Sequence, residues 1–204
     1  MPPDLVRAQL DAVLEDIGAD AAKTGMLGNA AIVRAIAESF SERQVRNLVV
    51  DPVLQAKDGT SLLDSAGLKA LRDLLLPLAA IVTPNAPEAS ALAEMPVENR
   101  DQARKAARRI AEMGCRCVLI TGGHLQGEPA DIFYHEGEFA ELKAERISGA
   151  AVHGTGCTLS AAIAALLALG RPLRGAVAEA HGYLQAQLRR AISIGGGFRL
   201  LPPA

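Results

Sequence analysis

Two runs, Asn47-Leu48-Val49-Val50-Asp51-Pro52 and Ala79-Ala80-Ile81-Val82-Thr83-Pro84-Asn85, decide the architecture. Each is a short apolar strand that ends on a polar residue beside a proline, which cannot donate to a strand ladder. Between them a polar loop, Gln55 to Ser61, leads into Leu62 to Leu76, which reads as a helix stopped by Pro77. Strand, helix and strand in this order form a parallel crossover unit.

The alternation continues outward in both directions. Leu5 to Ile17 places Leu5, Val6, Leu10, Val13, Leu14 and Ile17 on one helical face. Ala21 to Gly25 is a short strand running into a glycine turn, and Asn29 caps a helix reaching about Phe40. Beyond Asn85, a short helix near Pro87 to Leu92 precedes a longer one from about Arg100 to Met113. Cys117 to Thr121 is a strand that enters Gly122-Gly123. Two or three short strands lie between Ile132 and Ile147, with Gly137 in a turn. Two helices follow, about Gly156 to Leu169 and Leu173 to Ala191, and the tail from Gly195 to Ala204 reads as loop.

The pattern predicts an α/β fold, with a mostly parallel sheet covered on both faces, in a single domain over residues 1–204. Ligands of such sheets bind beyond the carboxyl ends of the strands. Attention therefore falls on Thr24-Gly25-Met26, Asp51-Pro52-Val53, Thr83-Pro84-Asn85 and Thr121-Gly122-Gly123.

Composition narrows the classes. The chain has 204 residues, 50% hydrophobic and 22% charged, a balance suited to one ordinary globular domain. Aromatic residues make up 3%, so Ala, Leu, Val and Ile must build the core. A net charge of -2 and the lack of a basic stripe argue against nucleic acid as a partner. Arg104, Lys105, Arg108 and Arg109 read as a solvated helix face. The longest apolar run, Leu159 to Leu169, carries Ser160 and suits a buried helix rather than a membrane span. Three cysteines, Cys115, Cys117 and Cys157, and no signal peptide point to a reducing, cytoplasmic setting.

The segment His153-Gly154-Thr155-Gly156-Cys157-Thr158 carries the strongest chemistry. Its glycines let the backbone approach a ligand, and unpaired amides at a helix start favour an anion such as a phosphoryl group. Cys157 falls in the first turn, where the thiol pKa should drop and the sulfur could take a proton from a substrate hydroxyl. Spacing alone equally fits a glycine turn before a buried helix, with Cys157 as a small hydrophobe. The segment has no Gly-Lys-Ser/Thr ending and lacks a third fingerprint glycine, so it is neither a Walker loop nor a dinucleotide motif. No Arg close after Cys157 supports a cysteine phosphatase. Asp51 and Glu88 follow strands and could hold Mg²⁺ beside ATP phosphates. Asp51 could equally cap a turn, and Glu88 could sit in a helix's first turn. Cys115 and Cys117, pointing to the same face by strand alternation, have no matching ligand cluster.

Six segments in order resemble the hydroxymethylpyrimidine/phosphomethylpyrimidine kinase family. They are Lys23-Thr24-Gly25-Met26-Leu27-Gly28, Val50-Asp51-Pro52-Val53 with Ala56-Lys57-Asp58-Gly59, Leu75-Leu76-Pro77-Leu78-Ala79, Thr83-Pro84-Asn85-Ala86-Pro87-Glu88-Ala89, Thr121-Gly122-Gly123-His124, and the His153–Thr158 segment. The resemblance implies a ribokinase-like three-layer α/β/α fold. It implies transfer of phosphoryl from Mg-ATP to a hydroxymethylpyrimidine and then to its monophosphate, in thiamine biosynthesis. Gly154, Thr155, Gly156 and Cys157 would form the anion hole, with Cys157 standing where many relatives in the superfamily carry an Asp base. Met26 and Val53 match positions lining the pyrimidine pocket. Asn85, Glu88, Thr121 and Gly123 match the nucleotide and magnesium side, and His153 is grouped with the cofactor-binding residues. Some relatives carry Lys where Thr121 stands, and His181 replaces a Lys near the adenine side. Family members carry two strands ahead of the portion that Met1-Pro2-Pro3-Asp4-Leu5 resembles. A central strand and part of the substrate wall are therefore expected to be missing, through a late start or a truncated form. A homodimer is also implied. The alternatives are a pyridoxal/pyridoxine kinase of the same superfamily, or a non-catalytic truncated ligand-binding module.

Overall fold

The computed structural model describes residues 1–56, 58–126, 129–144, 152–194 and 197–202. Lys57 and Ile147 lie outside the described residues. In chain order the elements are α1 (Pro3–Asp16), β1 (Ala22–Thr24), α2 (Ala30–Glu42), β2 (Leu48–Val50), α3 (Ser65–Ala70), β3 (Ala79–Val82), α4 (Ala86–Ala93), α5 (Arg100–Ala111), β4 (Cys117–Ile120), β5 (Ala130–His135), β6 (Glu138–Lys143), β7 (Val152–His153), α6 (Thr155–Ala168), α7 (Leu173–Arg189), β8 (Ile192–Ser193) and β9 (Arg199–Leu200).

The main sheet has the order β1-β2-β3-β4-β5-β6. Its first four strands are parallel, and β5 and β6 return antiparallel as a hairpin. Every residue of β2 and β4 is buried, as expected for parallel strands covered on both faces. Side-chain alternation divides the core in two. Leu48, Val50, Val118 and Ile120 enter one apolar cluster with Val33 and Ile36 of α2, Leu92 of α4 and Ile110 of α5. Val49, Ile81, Leu119 and Phe133 enter the other, with Leu159 and Ile163 of α6 and Val177 and Leu184 of α7. Each such side chain contributes about 1.5–3 kcal/mol by leaving water. The expected three layers are present.

Several expectations change in detail. The helix predicted over Leu62 to Leu76 is α-helical only over α3; it then widens into a π-turn at Leu71–Leu75 and tightens into a 3₁₀ turn at Leu76–Leu78. Pro77 sits inside that last turn, where its missing N–H costs little, rather than stopping a helix. On α1, Val6, Leu10 and Leu14 pack against the core, whereas Leu5, Val13 and Ile17 are exposed. Cys115 and Cys117 belong to different clusters, because β4 begins at Cys117 and the pleat does not extend back to Cys115. Arg199–Leu200, in the tail read as loop, forms β9 at the centre of a small second sheet, β7-β9-β8. Arg104 and Arg108 do not simply face water: both lie over the Phe139 ring, and Arg104 pairs with Glu141.

Candidate active site

Backbone hydrogen bonds carry the parallel ladder past the strand ends and set the turns side by side. Asp51 N–H donates to Thr24 O (3.1 Å), Thr83 N–H to Val50 O (2.9 Å) and Thr121 N–H to Pro84 O (2.9 Å). Asn85 bridges Thr121 in parallel. Helix α6 starts at this edge. Its first residue is preceded by Gly154 at φ 81°, a left-handed conformation that suits glycine. No side chain caps the helix. The first helical hydrogen bond runs from Thr158 N–H to Gly154 O, so the amides of Thr155, Gly156 and Cys157 precede the ladder.

The α6 face then meets β2. Ser160 is fully buried, and its hydroxyl lies 3.1 Å from both Asp51 Oδ2 and the Cys157 carbonyl. Lys23 Nζ reaches the same Asp51 oxygen at 3.4 Å. That ammonium curls back over the turn after β1, where a β-carbon on Gly25 would stand 3.0 Å from it. Cys157 is a free, exposed thiol that lies in the field of the Asp51 carboxylate. The expected fall in its pKa does not occur. Partial desolvation pushes the thiol up first, the negative charge of Asp51 adds to this, and Lys23 opposes it. The other two thiols are inert by burial, which raises Cys115 to about 12 and Cys117 further.

On the neighbouring strand, Asn85 and Glu88 form a reciprocal cap on α4. Asn85 Oδ1 accepts from Glu88 N–H (2.9 Å), and Glu88 Oε2 accepts from Asn85 N–H (2.8 Å). Glu88 therefore does occupy a helix's first turn, and it also faces Asp51. Burial, opposed by the Asn85 backbone and reinforced by Asp51, raises its carboxyl to about 7. Two buried carboxylates that face each other fit a divalent cation. Among the described residues no cluster of three His, Cys, Asp or Glu groups exists, so further ligands would have to come from phosphates and water.

The structure thus joins Gly154, Thr155, Gly156, Cys157, Asp51, Glu88, Asn85 and Thr121 in one region. It ties others less closely. Met26 projects 62% exposed from the turn after β1. Val53 is half-buried, its N–H donating to Asp51 O (2.9 Å). Gly123 is exposed, and a β-carbon on it would meet nothing within 4 Å. His153 is exposed on β7, with its ring edge toward Phe198 at 6.1 Å. No described hydrogen bond or ion pair links Met26, Gly123 or His153 to the carboxylates. Two hollows lined in part by Asn47 and Leu167 lie at the opposite end of the strands, away from these groups.

Sequence reasoning gave no role to Lys23, Ser160 or Asp131. Ser160 carried a signal, since a position three after Cys157 shares its helix face. Lys23 directly precedes a strand-end residue. Nothing local marks Asp131.

A family model described as phosphomethylpyrimidine kinase matches residues 1–201. The chain is 44% identical over 198 residues to the thiamine biosynthesis bifunctional protein of Geobacter sulfurreducens, covering 97% of this chain and 40% of that one. It is 43% identical over 200 residues to the hydroxymethylpyrimidine/phosphomethylpyrimidine kinase of Salmonella typhimurium, covering 96% of this chain and 75% of that one. Among solved structures, an ADP complex of Bacillus subtilis pyridoxal kinase superposes with a TM-score of 0.91 at 34% identity, covering 98% of this chain and 76% of that one.

Proposed function

The chain belongs to the phosphomethylpyrimidine kinase family, and from that premise we propose that it transfers phosphoryl from ATP to a hydroxymethylpyrimidine and to its monophosphate, in thiamine biosynthesis. The fold is ribokinase-like, and the family's chemistry is that of a kinase. One observation carries the reading: a helix start at Gly154 with no side-chain cap lies beside a thiol that faces a buried carboxylate, at the carboxyl edge of a parallel sheet.

In this reading the amides of Thr155, Gly156 and Cys157 receive the moving phosphoryl group, whose charge grows toward them. Lys23 adds positive charge from the β1 side. Asn85, Glu88, Thr121 and Gly123 face the nucleotide. Asp51 and Glu88 hold magnesium, which neutralises phosphate charge when bound. The resting thiol carries its proton; once that proton is released to water, the thiolate, favoured by the nearby Lys23 ammonium, takes the proton of the substrate hydroxyl. Met26 and Val53 line the pyrimidine side, and His153 stands near the anion site. The three free thiols support a cytoplasmic setting, and no described helix is long and apolar enough to cross a membrane. A single kinase domain acting as a homodimer completes the reading.

The test is ADP release by the purified chain with hydroxymethylpyrimidine, its phosphate and pyridoxal in parallel. Turnover that depends on the pyrimidines supports the proposal. Much faster turnover of pyridoxal moves it to the second reading, which the superposition on a pyridoxal kinase favours. Tight ATP binding by calorimetry with no turnover points instead to a non-catalytic module.

A further inference from the structure

Behind the Thr121-Gly122-Gly123 turn lies a buried pair that the proposed chemistry does not use. Asp131, the second residue of β5, is 8% exposed, and His181 on α7 is buried to the same degree. Gly122 N–H donates to Asp131 Oδ1 at 2.8 Å, inside the protein. The other carboxylate oxygen stands 3.7 Å from His181 Nε2. That nitrogen is buried and has no hydrogen-bond partner among the described residues. The turn rests directly on the strand: a β-carbon on Gly122 would meet Ala130 O at 1.9 Å. The Gly122 amide is thereby committed inward, while Gly123 is left facing outward.

We propose that Asp131 and His181 act as a positioning pair, presetting the Thr121–Gly123 turn so that its outer face meets the nucleotide. The inference rests on the nucleotide reading of that turn. The geometry supplies the reason. One Asp131 oxygen fixes the Thr121–Gly122 peptide, and His181 is the described ionisable group that faces the other. Burial pushes the Asp131 carboxyl up, and the Gly122 amide and then His181 pull it down. A buried carboxylate that loses its partner is strongly disfavoured, so removing His181 should distort the turn as Asp131 seeks another donor or water.

The test measures ADP binding by calorimetry, together with KM for ATP and for the pyrimidine, in four variants. Asp131→Ala loses the acceptor and should weaken ADP binding by roughly tenfold or more. Asp131→Asn keeps an acceptor oxygen for Gly122 and should lose about threefold or less. His181→Leu should lose roughly tenfold, and the double variant Asp131→Asn/His181→Leu should recover to within about threefold of the parent, because no buried charge is left unpaired. KM for the pyrimidine should move by less than about twofold throughout. If His181→Leu does not fold, folding of the double variant carries the test, and a double variant that also fails to fold overturns the pairing. Equal losses for Asp131→Ala and Asp131→Asn, or parallel rises in both KM values, overturn it as well. A parent chain that binds no ADP removes the nucleotide reading itself, whereas a parent that binds ADP beside variants that bind it equally well removes only this inference.

Discussion

Two helix starts face the same edge of the sheet and are finished in opposite ways. At α4, Asn85 and Glu88 close the end on itself, each side chain satisfying the other's backbone amide. At α6, Gly154 takes a left-handed turn and offers no side chain. The closed end gains stability and holds Glu88 in place beside Asp51. The open end has no side-chain cap for its first amides among the described residues. Unpaired helix amides cost free energy unless water or a ligand meets them, so a bare start beside a thiol and a carboxylate is the feature on which the proposed phosphoryl transfer rests.

The largest expected effect lies at the open end. Cys157→Ala should reduce kcat by about 10²–10⁴-fold with the melting temperature nearly unchanged, measured as pyrimidine-dependent ADP release. A variant with near-normal kcat removes the thiol from the proton path.

Next comes the acid at the closed end. The Glu88 carboxyl titrates near 7 when folded and near its ordinary value when unfolded. The folded chain therefore binds more protons between these limits, and its stability falls as pH rises through that window. The loss is on the order of 3 kcal/mol. In urea titrations without divalent ions, Glu88→Gln should flatten this slope, since the amide keeps the cap but cannot ionise. An unaltered slope would assign the pH dependence elsewhere.

Gly154→Ala tests whether the open end needs its left-handed turn. At φ 81° an added β-carbon costs about 1–2 kcal/mol, read as a lower urea midpoint. The helix would then start differently, so kcat/KM for ATP should fall as well. Unchanged kinetics would show that the amides do not depend on Gly154.

Asn85→Ala should cost about 1 kcal/mol through the lost cap, with a smaller effect on kcat than Cys157→Ala. If the two substitutions exchanged these signatures, the distinction between the two ends would fail.

Much of this contrast was legible in the chain. Asp51-Pro52, Thr83-Pro84-Asn85 and Gly154-Thr155-Gly156 mark strand ends and a helix start through residue types with strong local preferences. The alternation of short apolar runs with helices fixed the layers, because burial on both faces demands continuous apolar strands. The readings that missed had weak local signals. Pro77 was assigned to a helix stop, but a helix can tighten around a proline when its last turn packs on the core, as Leu75 and Leu76 do here. The fall expected for Cys157 followed from the helix start alone and took no account of Asp51, which arrives from a strand 106 positions earlier.

The sequence by itself determined the order of elements, the two-faced sheet and the glycine turn that opens α6, since all three follow from periodicity and backbone preference over short windows. Only the tertiary structure decided which charges face one another: Lys23 and Ser160 on Asp51, Glu88 beside that same carboxylate, and His181 behind Gly122. Electrostatic and hydrogen-bond terms depend on separation in space, and parallel crossovers bring together residues that are far apart along the chain.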